Sequence, residues 1–169
     1  FMADFLSYRT EHQVHQEDEY VFPYHWVIQK NTRKGVVFFS YWERAMELAG
    51  DLHEKQVLDA GCGDGFFARL VGQKGAHVTG VDYSDRALMF GKLLAPGVTF
   101  VYASLATLPF PDATFDIIFS TEVFEHVPLA DRPRAAAELF RVLRPGGKLI
   151  ITAPSVLLPY NPKHEEHFT

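Results

Sequence analysis

Val57-Leu58-Asp59-Ala60-Gly61-Cys62-Gly63-Asp64-Gly65 carries a short apolar run straight into three glycines at alternate positions. The run reads as a buried strand and the glycines as a sharp turn, with a helix following through about Val71. Glycine adopts positive φ without steric cost and admits close backbone approach. Such a loop can turn tightly and aim N–H groups at an anionic group beside the helix start. In open α/β sheets ligands lie at the carboxyl ends of the strands, which is where this loop falls.

The same alternation continues outward. His77-Val78-Thr79-Gly80-Val81 leads to Asp82 and then a helix from Asp85 to about Leu94. A third run covers Val98-Thr99-Phe100-Val101-Tyr102, and a fourth covers Phe115-Asp116-Ile117-Ile118-Phe119. The fourth leads to a helix near Asp131–Leu143, which Arg144-Pro145-Gly146-Gly147 is expected to end. Lys148-Leu149-Ile150-Ile151-Thr152 is the fifth run. Strands alternating with helices predict an α/β fold with a doubly wound parallel sheet, and the near-continuous apolar character implies helices on both faces. Upstream, residues 36–49 read as an amphipathic helix ending at Gly50. The chain therefore divides into an aromatic-rich segment with its helix, 1–50, and a core, 51–169.

Composition sets the outer bounds. The 169 residues are 47% hydrophobic, 14% aromatic and 22% charged, which suits one globular unit with a sizeable core. A net charge of −5 offers no general attraction to phosphate backbones or anionic lipid, so neither nucleic acid nor a membrane surface is the expected partner. No apolar run is long enough to span a bilayer, and a basic-then-apolar secretion pattern is missing from the amino end. The single cysteine, Cys62, excludes an internal disulfide and points to a reducing compartment, with cytoplasm as the expectation.

Asp82 follows the glycine loop by about 20 residues, at the end of the next strand, where a carboxylate accepts hydrogen bonds from both hydroxyls of a ribose. Loop and acid together predict a nucleoside-containing cofactor. A dinucleotide fingerprint places its third glycine where Phe66 stands, whereas here the extra glycine comes one position early at Gly65. This counts against a nicotinamide-dependent oxidoreductase.

The loop instead resembles the Asp-x-Gly-x-Gly-x-Gly motif of the class I S-adenosylmethionine-dependent methyltransferases. Gly80-Val81-Asp82-Tyr83-Ser84, Leu108-Pro109-Phe110-Pro111-Asp112-Ala113-Thr114-Phe115-Asp116 and Glu138-Leu139-Phe140-Arg141-Val142-Leu143-Arg144-Pro145-Gly146-Gly147 extend the likeness over about residues 54–154, to the type 11 small-molecule group. The resemblance implies a Rossmann-like sheet, S-adenosyl-L-methionine as cofactor and S-adenosyl-L-homocysteine as product. It implies that Asp59, Gly61 and Gly63 surround the methionine portion, with Cys62 packed beside it. Asp82 would hold the ribose, Tyr83 would pack on the adenine, and Ser120 would offer its backbone near the amino group. Many relatives carry an aspartate against the adenine amino group where Ser104 stands here, and a serine hydroxyl bonds there without charge assistance. The resemblance implies the Leu105 backbone as a further adenine contact. The family's sheet usually has seven strands; none is found after the fifth run, so the chain is expected to be C-terminally incomplete.

Methyl transfer from a sulfonium needs mainly alignment of the acceptor and exclusion of water. An oxygen acceptor also needs a base. His126 and Glu122, in the loop after the fourth strand, are the candidate catalytic residues; for His126 a structural role bonding nearby backbone is the alternative. The segment Ser120-Thr121-Glu122-Val123 departs from the Asn/Asp-Pro-Pro-Tyr motif of enzymes that methylate nucleobase amines or amides, which leaves oxygen, carbon and ordinary amine acceptors. The aromatics before the first strand, Trp26 and Trp42 among them, either pack against the sheet or form a lid over a small organic acceptor. His164-Glu165-Glu166-His167 lacks the spacing of two metal ligands on one helix face and reads as a polar loop, so no metal is expected; in similar enzymes Tyr160, His164 and His167 would approach the acceptor. The function expected is methyl transfer to a small organic acceptor, oxygen slightly ahead of carbon or nitrogen. The competing reading is an inactive methyltransferase-like binding or scaffold domain.

Overall fold

The computed structural model describes residue 14 and residues 17–153. The segment 154–169, with Tyr160, His164 and His167, lies outside them. In chain order the elements are α1 (Tyr24–Val27), α2 (Arg33–Ala49), β1 (Gln56–Ala60), α3 (Phe66–Gly72), β2 (His77–Asp82), α4 (Asp85–Leu94), β3 (Thr99–Tyr102), β4 (Phe115–Thr121), a 3₁₀ turn (Phe124–His126), α5 (Arg132–Val142) and β5 (Leu143–Thr152). The five strands form one parallel sheet in the order β3-β2-β1-β4-β5.

That order reverses direction at β1, which β2 flanks on one side and β4 on the other. The carboxyl ends of β1, β2 and β4 therefore open a crevice at the switch point. Successive residues of a strand face opposite sides, and both sides are buried. Val57, Ile117 and Phe119 pack with Trp42, Ala45, Ala49, Phe67 and Val71 on one face. Leu58, Ala60 and Ile118 pack with Ala135, Leu139 and Val142 of α5 on the other.

Two local expectations shift. The helix expected from residue 36 begins one turn earlier, at Arg33, capped by Thr32, whose Oγ1 accepts the Gly35 N–H at 3.1 Å. Arg33-Lys34-Gly35 is polar and adds nothing to the apolar stripe, which is why periodicity misses it. The stretch Arg144-Pro145-Gly146-Gly147 does end α5, at Val142, but it lies within β5 as an irregularity and forms no separate turn. Phe115 pairs with Leu143 and Ile117 with Lys148, so the ladder skips the intervening residues. Proline lacks the N–H a ladder needs and disfavours helix at the residue before it, which accounts for both effects.

Arg141 of α5 ties the segment before β4 to the sheet. Its guanidinium meets Glu138 at 2.7 Å and Asp112 at 2.8 Å and donates to the carbonyls of Phe110 and Leu108 at 2.8 and 3.1 Å. Glu138 in turn accepts the Leu108 N–H at 2.8 Å, and Arg141 holds its carboxyl down to about 2. Two of the stretches that carried the family resemblance are thus bound to each other as scaffold. Among the described residues, no helix is long and apolar enough to cross a membrane.

Candidate functional site

The glycine loop is fixed by backbone bonds. Gly61 N and Cys62 N both donate to Val81 O, at 2.8 and 2.9 Å, which locks the loop to the end of β2. Gly65 opens α3 in the left-handed conformation, φ 75°, where a Cβ would stand 2.5 Å from the Phe100 ring and 3.1 Å from the Gly91 Cα. Only glycine fits there, because both the φ and the space exclude a side chain.

Asp82 is buried, and each of its oxygens already accepts one N–H: Oδ2 from Gly63 at 2.8 Å and Oδ1 from Ser84 at 2.9 Å. Burial raises its pKa, while the N–H groups of Ser84, Gly63 and Tyr83 pull it back. A carboxylate has about four acceptor positions, so two remain for hydroxyls. Asp59, one strand over, is 2% exposed, and its Oδ2 has no partner. Burial, with the charge of Asp82 behind it, pushes the Asp59 carboxyl up to about 8. The Ser120 hydroxyl, fully buried, is likewise unpartnered. Burial also lifts the Cys62 thiol, so this residue is a small packed group and no nucleophile.

A cavity of about 1000 Å³ runs from this loop toward the aromatic segment. Asp59, Gly61, Cys62, Gly63, Asp82, Tyr83, Ser104 and Leu105 line one part of it, and Glu122 and His126 line the other. Ser120 lies buried at the end of β4 and does not line it. The Ser104 Oγ accepts the Ala106 N–H at 3.2 Å, closing a local turn. Glu122 has a positive φ of 56° and is held by Thr152, whose O and Oγ1 accept its N–H at 3.0 and 3.1 Å. A non-glycine residue in that region costs about 1–3 kcal/mol and marks functional turns.

Four residues not singled out by the motifs also belong to this region. Asp64, fully buried, accepts from His25 N at 3.1 Å, meets His25 Nδ1 at 3.0 Å, and lends its backbone oxygen to Trp26 Nε1 at 3.0 Å. Glu17 accepts from Asp85 N at 2.6 Å and Arg86 N at 3.3 Å, completing the N-terminal cap of α4 begun by Ser84, whose Oγ accepts from Ala87 N at 3.1 Å. The Tyr20 hydroxyl fills the space a Cβ on Gly63 would occupy, 2.2 Å from that position. Glu125, within the 3₁₀ turn, is 1% exposed and leaves Oε2 unpartnered in the cavity wall. The bonds of Asp64 and Glu17 to their distant partners join residues 38 to 69 positions apart, and no local pattern encodes them.

The donor set fits the expected cofactor. The orphaned Asp59 Oδ2 suits an ammonium group, and the open positions on Asp82 suit a diol.

Comparison with known proteins agrees with this geometry. The family model of a methyltransferase domain matches residues 58–151. A probable S-adenosylmethionine-dependent methyltransferase of Mycolicibacterium smegmatis is 34% identical over 80% of this chain and 56% of its own length. The malonyl-[acyl-carrier protein] O-methyltransferase of Serratia marcescens is 34% identical over 65% of this chain and 42% of its own length. The chain spans about half the length of these curated relatives. The crystal structure of an S-adenosylmethionine-dependent methyltransferase from Mesorhizobium loti superimposes with a TM-score of 0.63 at 25% identity, covering 72% of this chain and 56% of that one. A sheet reversing at a glycine loop, an acid placed for a diol and a matching family domain lead to one conclusion: the chain belongs to the class I S-adenosylmethionine-dependent methyltransferases.

Proposed function

We propose that the chain transfers the methyl group of S-adenosylmethionine to a small organic acceptor of apolar or ring character, with oxygen as the acceptor atom. The observation that carries this reading is the continuity of the cavity from the glycine loop to a wall of Tyr24, Phe38 and Tyr41. In it, Asp82 takes the ribose hydroxyls and Tyr83 packs on the adenine, with Ser104 and the Leu105 backbone at its edge. Gly61 and Gly63, with Cys62 packed between them, bring the loop backbone close against the methionine portion. Asp59 receives the methionine ammonium, with the Ser120 backbone nearby. The bound cofactor supplies a sulfonium that carries the methyl group and leaves as a neutral thioether.

At the other end Glu122 or His126 takes the acceptor proton, and the segment 17–42 closes over both ligands and excludes water. Oxygen is favoured because this end offers proton acceptors, which a hydroxyl needs, and the name of the Serratia relative points the same way. The buried thiol of Cys62 suits a reducing compartment, and we place the protein in the cytoplasm. Titration calorimetry with S-adenosyl-L-homocysteine tests the reading: one saturable site per chain is expected, and no binding would sink it.

A second reading, a methyltransferase-like binding domain without turnover, draws on Ser104, whose hydroxyl is engaged with Ala106 and carries no charge. Cofactor binding with no transfer from labelled cofactor across a broad acceptor panel would select it.

A further inference from the structure

Glu125 is a buried carboxyl with only one of its two oxygens accounted for inside the protein. Its side chain is 1% exposed, and Oε2 meets no donor. Neither Arg132 nor His126 donates a hydrogen bond to that oxygen. Arg132 directs Nε to Val127 O at 3.0 Å and Nη2 to the backbone O of Glu125 at 3.5 Å. His126 Nε2 stands 4.0 Å from the other oxygen, Oε1, beyond hydrogen-bond range. Burying an acceptor with no donor is costly, and a ligand donor at this spot would recover the loss.

The surroundings say what kind of donor. Glu122 lines the same end of the cavity, and the charges of Glu122 and Glu125 both bear on the Tyr41 phenol. Tyr41 and Phe38 stand with ring centroids 5.5 Å apart, and both line the cavity. Two carboxyl groups beside aromatic faces attract a cation and repel an anion. Lys34 is the one lysine or arginine lining the cavity among the described residues, and it is solvent-exposed in the first turn of α2.

We propose that the acceptor end of the cavity recognises a small organic ammonium, the acceptor's protonated amine being held by Oε2 of Glu125 against the faces of Tyr41 and Phe38. The proposal rests on the methyl-transfer reading above. It makes the amine a recognition handle distinct from the atom that is methylated. It also sets this site against carboxylate acceptors, since a second anion here would be desolvated beside Glu122 and Glu125. In the ligand-free chain burial, reinforced by Glu122 and opposed by Arg132, lifts the Glu125 carboxyl to about 8. Near neutral pH it therefore holds its proton, and an arriving ammonium displaces that proton into solvent.

The test uses the full chain saturated with S-adenosyl-L-homocysteine and three ring-matched probes: phenethylamine, phenethyl alcohol and 3-phenylpropionate. Calorimetry in two buffers of different ionisation heat reads affinity and proton release together. Phenethylamine is expected to bind at least about tenfold more tightly than the alcohol, with proton release for the amine alone and 3-phenylpropionate weakest. Glu125→Gln should cut the amine's advantage to less than about threefold and abolish the proton release, and Glu122→Gln should cut it in part. With homocysteine-product binding intact, an alcohol that matches the amine, a carboxylate that outbinds it, or no measurable amine binding overturns this proposal alone. So does a Glu125→Gln protein whose affinity for S-adenosylmethionine falls while that for S-adenosyl-L-homocysteine holds, which would put Glu125 against the sulfonium. Loss of product binding in the unaltered chain overturns the methyl-transfer reading, and this proposal with it.

Discussion

Asp59 and Glu125 are both carboxyls lifted by burial to about 8, from ordinary values of 3.8 and 4.5. Between those limits the folded chain keeps protons that the unfolded chain has released, so folding stability falls as pH rises through this window. Glu138 works in the opposite sense: Arg141 holds it at about 2, so its contribution is intact above 4.5 and is lost only as pH falls toward 2. The ligand-free protein should therefore melt several degrees higher near about pH 5.5 than near about pH 8, as followed by circular dichroism. Asp59→Asn should remove much of that slope and raise the melting temperature at the higher pH. A melting temperature that is flat or rising between the two values would contradict the assignment. Asp82→Ala removes the acceptor for both Gly63 N–H and Ser84 N–H and should weaken S-adenosyl-L-homocysteine binding by at least about tenfold, since those bonds shape the loop as well as the ribose site. An unchanged affinity by calorimetry would refute that role.

The helix α4 shows how one element depends on residues far from it in sequence. Its first three amides are taken by Glu17 and Ser84, an anion and a hydroxyl at the positive end of the helix. Glu17→Gln keeps the shape and removes the charge, and should cost about 0.5–2 kcal/mol by denaturant unfolding while raising amide exchange at Asp85 and Arg86. Exchange rates at those two amides that match the unaltered protein would show that the cap contributes nothing. The strands were legible because each is a local apolar run: residues 57–60, 115–119 and 148–152 announce themselves without reference to anything distant. The first turn of α2 was not, since Arg33, Lys34 and Gly35 are set by Thr32 and carry no apolar signal. The irregular entry to β5 was hidden for another reason. Pro145 and the two glycines mark a break equally well in a turn or in a strand, and only the pairing with β4 decides between them.

For the whole molecule, a doubly wound parallel sheet was legible in the sequence, whereas the order β3-β2-β1-β4-β5, which reverses beside the strand that carries the glycine loop, comes from the pairing of the strands. The candidate site was legible to the extent that it hangs on that strand. Asp59, Gly61, Gly63 and Asp82 could be named from spacing and family likeness. Glu125 could not, although it neighbours the selected Glu122 and His126, because which of three adjacent polar residues turns inward depends on the positive φ at Glu122 and the 3₁₀ turn after it. Asp64 stood inside the quoted motif and its partners His25 and Trp26 were in view, yet nothing local joins them. Ligand linkage offers a test at this scale. S-adenosyl-L-homocysteine at about 100 times its dissociation constant should add about 2.7 kcal/mol, or roughly 5–10 °C for a chain of this size, and His25→Ala should reduce the shift if the segment 17–42 closes on the bound ligand. An equal shift in the variant would detach that segment from binding. The grip of His25 and Trp26 on Asp64 also has a kinetic meaning. The loop that would cradle the cofactor is held by the segment that would cover it, so exchanging spent cofactor for fresh requires those bonds to break first, and turnover would be timed by departure of product and not by the displacement itself.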